Sequence, residues 1–327
     1  MIRCKLKNKE REYVICSIDM SIYFVWMKDL NNNKTIVVRL MGGLGNQLFQ
    51  LQFAIEMKKK YGATSIIVDT SYYNNYKIRS VEIDKICNNE NIIFTNDYKD
   101  FKYFLSYKLF FLIQGVYRHF RKKGINFLLP YISKFGFFYT DTEVDRLPNN
   151  VIGNKIYCWG YFQDVNYITD LEEIRNYFST EDFKKDISSR EVIKIAISVR
   201  CGDDYISKGY PICDKEYYMH SIQFIEKKCK CKKQYILFTD DYEKAKCYLP
   251  ENISYINASN YNPIDQLKYM AKCHSYILSN SSFAWWGAVL GEYNQKIVIL
   301  PEYWDMAHKT NSVKLIMDGF YIYKEDF

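Results

Sequence analysis

The chain has 327 residues, of which 48% are apolar and 25% charged, and its formal net charge at pH 7 is +7. This length is sufficient for two domains with separate hydrophobic cores, and the composition excludes a largely disordered chain. The mild positive charge suits an anionic substrate such as a nucleotide, but the long basic run typical of nucleic-acid binding is lacking. The cysteines are scattered without a secretory signal, so we expect reduced thiols and a cytoplasmic protein.

The first predicted elements form a β-α-β unit. Residues 1–34 are interpreted as an extension that ends in three consecutive asparagines, and a strand is predicted over 35–40. A glycine-rich turn follows, then a helix over 48–60 and a second strand over 65–69. Such a turn presents backbone N–H groups to an anion, although a tight strand-to-helix connection explains the same glycines.

Residues 72–150 contain one strong pattern, an apolar segment over 104–117 that is followed by a basic stretch over 118–123. Two interpretations stay open. The segment is either a buried helix with a basic last turn or a helix that lies on an anionic membrane surface. No apolar stretch of the sequence is long enough to span a bilayer, so a membrane contact would be peripheral.

The first half ends with a predicted strand over 154–157 and a predicted amphipathic helix over 170–178. A charged connector over 181–191 follows, and we place the domain boundary within it. This division gives an N-terminal domain over 35–185 and a C-terminal domain over 186–327.

The second half again alternates strands with helices. Its predicted strands are 194–199, 234–238, 254–257, 275–278 and 296–300, and its predicted helices are 214–227 and 265–273. This alternation indicates a parallel sheet that is covered on both faces. We therefore expect an α/β fold of two parallel-sheet domains with a cleft between them.

Polar side chains follow three of these strands. Arg200 comes directly after the first, Asp240 and Asp241 follow the second, and Ser279–Ser282 precede a predicted helix. The carboxyl ends of parallel strands face the ligand crevice in open α/β sheets, and a guanidinium beside a helix N-terminus can hold a diphosphate. Taken singly, the arginine also fits a surface ion pair and the serines fit a helix N-cap.

Two longer motifs resemble the α-1,2-fucosyltransferases, glycosyltransferase family 11-like enzymes that use GDP-fucose with inversion. Gly42–Gln50 reads GGLGNQLFQ and is similar to the N-terminal signature of that family, and Ser279–Ala288 reads SNSSFAWWGA and is similar to the C-terminal one. Weaker similarities occur in the family's order at Gly160–Gln163, Phe238–Asp241 and Pro301–Trp304. The resemblance extends from about residue 35 to the end of the chain.

The resemblance implies a GT-B fold, in which two Rossmann-like domains face each other across a cleft and no metal is required. The implied reaction moves fucose from GDP-fucose to a glycan hydroxyl, with the 2-hydroxyl of a galactose-like residue as the expected acceptor. Arg200 is expected to hold the β-phosphate and stabilise the leaving GDP, and Asp265 to contact the guanine. The implied donor-binding residues are Gly43, Asn46, Arg200, Asp240, Asp265, Ser281, Ser282 and Phe283.

The stretch around Arg200 departs from the family pattern His-Val-Arg-Arg-Gly-Asp-Tyr. Ser198 stands where the family has a histidine, and Cys201 replaces the second arginine, which removes one positive charge. Asp203 and Asp204 are both candidates for the general base by proximity alone. Asp203 is taken as the catalytic candidate beside Arg200, and the base itself is unassigned. Two further hypotheses therefore stay open, a GT-B transferase with a different sugar-nucleotide donor and an inactive relative that binds a glycan or nucleotide.

Overall fold

The computed structural model describes residues 33–121, 129–139, 147–178, 192–207, 210, 213–292, 295–305 and 310–323. The connector predicted over 181–191, and nearly all of the extension predicted over 1–34, lie outside these residues. The domain boundary therefore stays a prediction. The described residues form two α/β units, each built on one parallel sheet, with a small antiparallel pair of strands near the end of the chain.

The first domain contains five parallel strands in the order β3-β2-β1-β5-β4. Their bounds are β1 Thr35–Arg39, β2 Ser65–Asp69, β3 Ile92–Thr95, β4 Phe137–Tyr139 and β5 Lys155–Trp159. The central strand β1 contains Ile36, Val37 and Val38, which are fully buried because helices cover both faces of the sheet. The prediction of a β-α-β unit at this place is confirmed.

Helix α1, Leu44–Tyr61, lies between the two domains. It begins four residues earlier than predicted, directly after Gly43, and ends at Gly62, whose φ of 64° is the left-handed conformation that glycine adopts readily. Most of its residues are buried, polar ones included, because one side packs on the first sheet and the other on the second domain. The basic residues of its last turn, Lys58 to Lys60, complement the helix dipole.

On the opposite face of the first sheet, helix α2, Phe101–Arg121, and helix α3, Leu129–Ser133, pack against β1, β4 and β5. Tyr103 and Phe110 are buried there, so the buried interpretation of this apolar segment is confirmed for one side of α2. Of the helices in the described part of the chain, none has the length and apolar character that a membrane span needs. The helix predicted over 170–178 is limited to the single turn α4, Glu172–Arg175, so that prediction is wrong in extent.

The second domain contains six parallel strands in the order β13-β10-β9-β6-β7-β8. They are β6 Val192–Val199, β7 Lys232–Thr239, β8 Tyr255–Asn257, β9 Ser275–Ile277, β10 Val298–Leu300 and β13 Phe320–Ile322, while β11 Tyr303–Asp305 and β12 Thr310–Asn311 form the antiparallel pair. The helices are α5 Asp203–Ile206, α6 Lys215–Lys228, α7 Tyr242–Ala245, α8 Pro263–Ala271 and α9 Ser282–Leu290. Every strand and helix predicted here is present, with shifted ends.

Helices α1 and α9 pack against each other where the two domains meet. The Phe49 ring lies 4.8 Å from the Trp285 ring and 5.2 Å from the Trp286 ring between centroids. Gly45 is required here because a Cβ at this position would lie 2.2 Å from the backbone nitrogen of Phe283. Two parallel-sheet domains thus meet across a cleft, which confirms the predicted GT-B fold.

Candidate active site

The carboxyl ends of β1, β6, β7 and β9 open into one cleft between the domains, with a volume of about 870 Å³. This volume is in the range of small-molecule and cofactor sites. The first domain lines it with the glycine-rich turn, the irregular segment 73–82, Tyr161 and Gln163. The second domain lines it mainly with the residues that follow β6, β7 and β9.

Arg200 lies at the end of β6, where two carboxylates hold its guanidinium. Its Nη1 donates a hydrogen bond to Asp240 Oδ2, and its Nη2 donates one to Asp204 Oδ2 over 2.9 Å. The Tyr205 ring lies 5.3 Å from the guanidinium carbon, within range of a cation–π contact. Burial raises the pKa of Tyr205, so its hydroxyl stays protonated at neutral pH.

A second guanidinium reaches the same carboxylate from the first domain. Arg79 Nη2 donates to Asp204 Oδ2 over 3.2 Å, so this one oxygen lies between Arg79 and Arg200. Both arginines line the cleft, and they approach it from opposite domains. Sequence reasoning missed Arg79, because a lone arginine in an irregular segment carries no pattern.

The segment that carries Arg79 is held by one buried side chain, Gln47. Its Nε2 donates to Gly42 O, to Tyr73 Oη and to Ser80 O over 2.8 to 3.2 Å. Its Oε1 accepts from the backbone N–H groups of Glu82 and Ile83 over 2.9 and 3.2 Å. The glutamine of the glycine-rich motif therefore fixes the first-domain wall of the cleft.

Cys201, which the sequence places where the family has a second arginine, does not line the cleft. Its side chain is fully buried beside Thr239 Oγ1 and Asp241 O. Burial raises the pKa of its thiol to about 11, so the thiol is neutral at pH 7. Its backbone N–H donates to Asp240 Oδ1 over 2.9 Å, which orients that carboxylate toward Arg200.

Asn46 joins the two domains at the floor of the cleft. Its Oδ1 accepts hydrogen bonds from Ser282 Oγ over 2.6 Å and from Gln163 Nε2 over 2.8 Å. Gln163 Oε1 in turn accepts from Trp304 Nε1 over 2.7 Å. The short motif around Gln163 therefore meets the glycine-rich motif directly, and the motif around Trp304 is joined to it through Gln163.

The N-terminus of α9 opens into the cleft beside this bridge. Ser281 is its N-cap and accepts a hydrogen bond from the Ala284 N–H over 3.4 Å, while Ser282 and Phe283 form the first turn. Unpaired N–H groups at such a terminus favour an anion. Asn280, one residue earlier, lines the cleft with an Oδ1 that is buried and has no hydrogen-bond partner among the described residues.

Ser198, at the family's histidine position, also lines the cleft. Its hydroxyl lies 2.9 Å from the Ser279 hydroxyl, and Tyr218 Oη donates to its carbonyl oxygen over 2.9 Å. The position therefore presents a small, hydrogen-bonded hydroxyl instead of an imidazole.

The predicted site residues Gly43, Asn46, Arg200, Asp240, Ser281, Ser282 and Phe283 all line this one cleft. Asp203 and Asp265 do not. The Asp203 side chain is 89% exposed and pairs with Lys244 over 2.5 Å, whereas its neighbour Asp204 lines the cleft. Asp265 is exposed in the first turn of α8, where Asn262 Nδ2 donates to it over 2.6 Å. The individual roles of all these residues stay predictions.

Two α/β domains with an arginine and a helix N-terminus in the cleft between them define a GT-B glycosyltransferase. The sequence profile of Glycosyl transferase family 11 matches residues 35–317, and the chain belongs to that family.

Two curated relatives from Escherichia coli cover most of the chain. The O-antigen biosynthesis glycosyltransferase WbnK is 26% identical over 309 residues, which cover 86% of this chain and 98% of the relative. An alpha-1,2-colitosyltransferase is 26% identical over 297 residues, which cover 85% and 94%.

Solved fucosyltransferase structures are more distant. NodZ from Bradyrhizobium has a TM-score of 0.44 at 12% identity, with 79% of this chain and 93% of that chain covered. A variant of Arabidopsis thaliana FUT1 in complex with GDP has a TM-score of 0.46 at 12% identity, with 91% and 80% covered.

Proposed function

We propose that this glycosyltransferase moves L-fucose from GDP-fucose to a glycan hydroxyl with inversion, forming an α-1,2 linkage to a galactose-like residue. The observation that carries the proposal is the position of Arg200, which lies in the cleft together with the N-terminus of α9. A guanidinium and a helix N-terminus in one cleft suit a diphosphate.

The donor diphosphate would take the place that carboxylates now occupy around the arginines. Asp204 and Asp240 hold Arg200, and Asp204 also holds Arg79. A diphosphate accepts the same hydrogen bonds with more negative charge, so it competes well for both guanidiniums. As the bond from fucose to the β-phosphate breaks, Arg200 and the α9 N–H groups stabilise the charge that develops on GDP.

When the diphosphate replaces Asp204 at the two arginines, Asp204 gains a role that Asp203 cannot fill from its exposed position. A carboxylate between two guanidiniums is a weak base. Once the diphosphate binds the arginines, the Asp204 carboxylate becomes more basic and faces the cleft. It can then accept the proton of the acceptor hydroxyl as that oxygen attacks the anomeric carbon. This sequence of events couples donor binding to activation of the acceptor.

The linkage and the acceptor class draw support from the relatives. One of them is named an α-1,2 transferase and the other an O-antigen biosynthesis enzyme, so both names point to glycan assembly. The proposed reaction uses no metal, because arginines and N–H groups supply the positive charge at the leaving group. Turnover that survives an excess of EDTA supports this point, and turnover restored only by a divalent cation contradicts it.

A second candidate function is transfer of colitose, which is fucose without its 3-hydroxyl. The similarity to a colitosyltransferase favours this function. Asn280 Oδ1 is a candidate contact for the donor sugar, because it is an acceptor in the cleft without a hydrogen-bond partner among the described residues. A hydroxyl of the donor sugar beside Asn280 would donate a hydrogen bond to this oxygen.

Turnover with purified protein separates these functions. GDP-fucose and GDP-colitose are supplied in turn with β-galactosides, and product and GDP are measured. Faster turnover of GDP-fucose supports the first proposal, and faster turnover of GDP-colitose supports the second. A thermal-shift panel of GDP, UDP, CDP and dTDP tests the base independently, since a ligand that binds only the native state raises the melting temperature. GDP binding without any turnover would instead indicate the inactive relative.

A further inference from the structure

Helix α2 carries an apolar stripe on the side that faces away from the sheet. The stripe consists of Phe101, Leu105, Leu109 and Leu112, and Ile113 lies beside it. Its members are separated by three or four residues, so they lie along one side of the helix. Phe101 is 79% exposed, Leu109 53% and Leu112 64%. A row of large apolar side chains left in water on one helix marks an interaction surface.

The helix is fixed in this orientation by its other side. Tyr103 and Phe110 are buried against the sheet, and Tyr107 stacks on Trp159. At the start of α2, Asp100 Oδ1 accepts from the Tyr103 N–H over 3.3 Å. Because aromatic packing holds one side of the helix, a rotation that hides the stripe would expose the buried rings. The stripe is therefore a permanent part of the surface.

The charged residues of α2 all carry the same sign. From residue 101 to residue 123 the sequence contains Lys and Arg at six positions and neither Asp nor Glu. Lys102 and Lys108 are exposed within the part of α2 whose side chains are described. An apolar stripe with flanking lysines is the pattern of a helix that lies in the interface of an anionic membrane.

Neighbouring aromatic side chains extend this surface. Tyr131 in α3 and Phe135 just after it are exposed, as is Lys134 between them. Leu129 of α3 belongs to the same buried cluster as Phe110 of α2. Aromatic rings close to lysines suit the headgroup region of a bilayer, where ring and charge each find a favourable environment.

We propose that α2 and the start of α3 rest on the surface of a bilayer that contains anionic lipids, with the stripe from Phe101 to Leu112 inserted below the headgroups. A second copy of the chain fits this surface less well. In a twofold dimer the same lysines would face each other without acidic partners from α2. The glycosyltransferase is thereby held on a membrane through its first domain.

The test uses the full-length protein and sedimentation with vesicles. We expect binding to vesicles of equal parts phosphatidylcholine and phosphatidylglycerol, weaker binding as salt is raised, and at least tenfold weaker binding to phosphatidylcholine alone. Replacing both Leu109→Glu and Leu112→Glu should reduce binding to the anionic vesicles at least tenfold. Val313→Glu is the matched control, since Val313 is 55% exposed in the other domain, and it should leave binding within about twofold of the unmodified chain.

A second pair of changes keeps the apolar stripe intact. Lys102→Gln with Lys108→Gln should weaken binding to anionic vesicles severalfold and leave the weak binding to phosphatidylcholine unchanged. Circular dichroism and GDP-induced thermal shifts of each variant verify that the fold is retained. Equal binding by the unmodified chain and the double glutamate variant would overturn the proposal. A dimer that Leu109→Glu dissociates would overturn it too, by assigning the stripe to a second copy.

Discussion

The two walls of the cleft are built in different ways. On the second-domain side, Arg200, Asp240 and Ser281 each lie within four residues of a strand end, so the sheet fixes where their backbones lie. On the first-domain side, Arg79 belongs to an irregular segment that depends on the hydrogen bonds of Gln47. The second-domain wall is therefore positioned by the sheet, whereas the Arg79 segment of the first-domain wall is positioned mainly by the hydrogen bonds of Gln47. The walls should respond differently to mutation.

Substitution of Arg200 tests the second-domain wall and should give the largest loss of kcat/KM. Arg200→Ala removes the guanidinium that we propose stabilises the leaving group, and we expect kcat/KM for GDP-fucose to fall by about 10²- to 10³-fold. Arg200→Lys keeps the charge without the planar fork and should be intermediate. Steady-state kinetics with both variants measure the loss. A melting temperature close to that of the unmodified protein is expected, and an Arg200→Ala enzyme with full turnover would remove Arg200 from the mechanism.

Gln47 tests the first-domain wall. Gln47→Leu leaves two backbone N–H groups and the Ser80 carbonyl oxygen without their partner, which should cost about 2 to 4 kcal/mol of folding free energy. The Gly42 carbonyl oxygen keeps its hydrogen bond from Tyr73 Oη. The segment with Arg79 should also lose its fixed position, so we expect kcat/KM to fall by about tenfold or more. Urea denaturation and donor kinetics measure the two effects.

Gln52 supplies the matched control for that experiment. It is a buried glutamine in the same helix, hydrogen-bonded to Glu56 Oε1 and Asp170 O, and it does not line the cleft. Gln52→Leu should reduce stability with little change in kcat/KM. If both leucine variants lose turnover equally, Gln47 acts only through the stability of α1.

Arg79 separates the contribution of the arginine from that of its segment. Its side chain is 38% exposed and its pair with Asp204 spans 3.2 Å, so Arg79→Ala should change stability by less than about 1 kcal/mol. We expect the KM for the donor to rise by about three- to tenfold, because one of the two proposed diphosphate contacts is lost. Isothermal titration with GDP and donor kinetics check this expectation, and unchanged GDP affinity would show that Arg79 does not contact the diphosphate.

Asp100 does not line the cleft. Its substitution should therefore change stability and leave turnover unchanged. Burial would raise the pKa of its carboxyl, but hydrogen bonds from Lys155 and Tyr157 and from the Tyr103 N–H lower it to about 2. Because the carboxyl has a lower pKa in the native state than in the unfolded chain, its ionised form stabilises the fold at pH values above about 4, the pKa in the unfolded chain. This stabilisation is lost as the pH falls toward 2. Asp100→Asn should therefore cost about 1 to 2 kcal/mol at pH 7 and much less near pH 2. Denaturation curves across this range measure the difference, and kcat should be unchanged.

Sequence patterns predicted the second-domain wall much better than the first. The runs of branched residues in β6 and β7 identify the strands, and Arg200 and Asp240 follow because a strand end places its neighbours in the cleft. Arg79 could not be found, because its position depends on a hydrogen-bond network through Gln47 and on no local periodicity. The sequence offers Asp203 and Asp204 alike as candidates, because no pattern distinguishes two adjacent aspartates. In the structure the first turn of α5 exposes Asp203 and brings Asp204 to Arg200.

In two other regions, too, the sequence pattern predicted the element but not its full structure. The helix predicted over 170–178 has the right periodicity. In the structure Asp170 accepts hydrogen bonds from Lys59 and from the Glu172 N–H, and the helix begins only at Glu172. For α2, the apolar pattern left open whether the helix is buried or lies on a membrane. The structure shows a buried and an exposed apolar side on the same helix, a combination that composition alone cannot resolve.

The contact of Gly45 with Phe283 limits how the two domains can move. Since the backbones of α1 and α9 touch where a Cβ would not fit, the domains cannot slide past each other there without separating their helices. A relative motion of the two domains would therefore have to pivot near this contact, because a sideways shift is blocked. We expect such a pivot to change the separation of Arg79 and Arg200, which come from opposite domains, more than the position of the N-terminus of α9, which lies beside the contact.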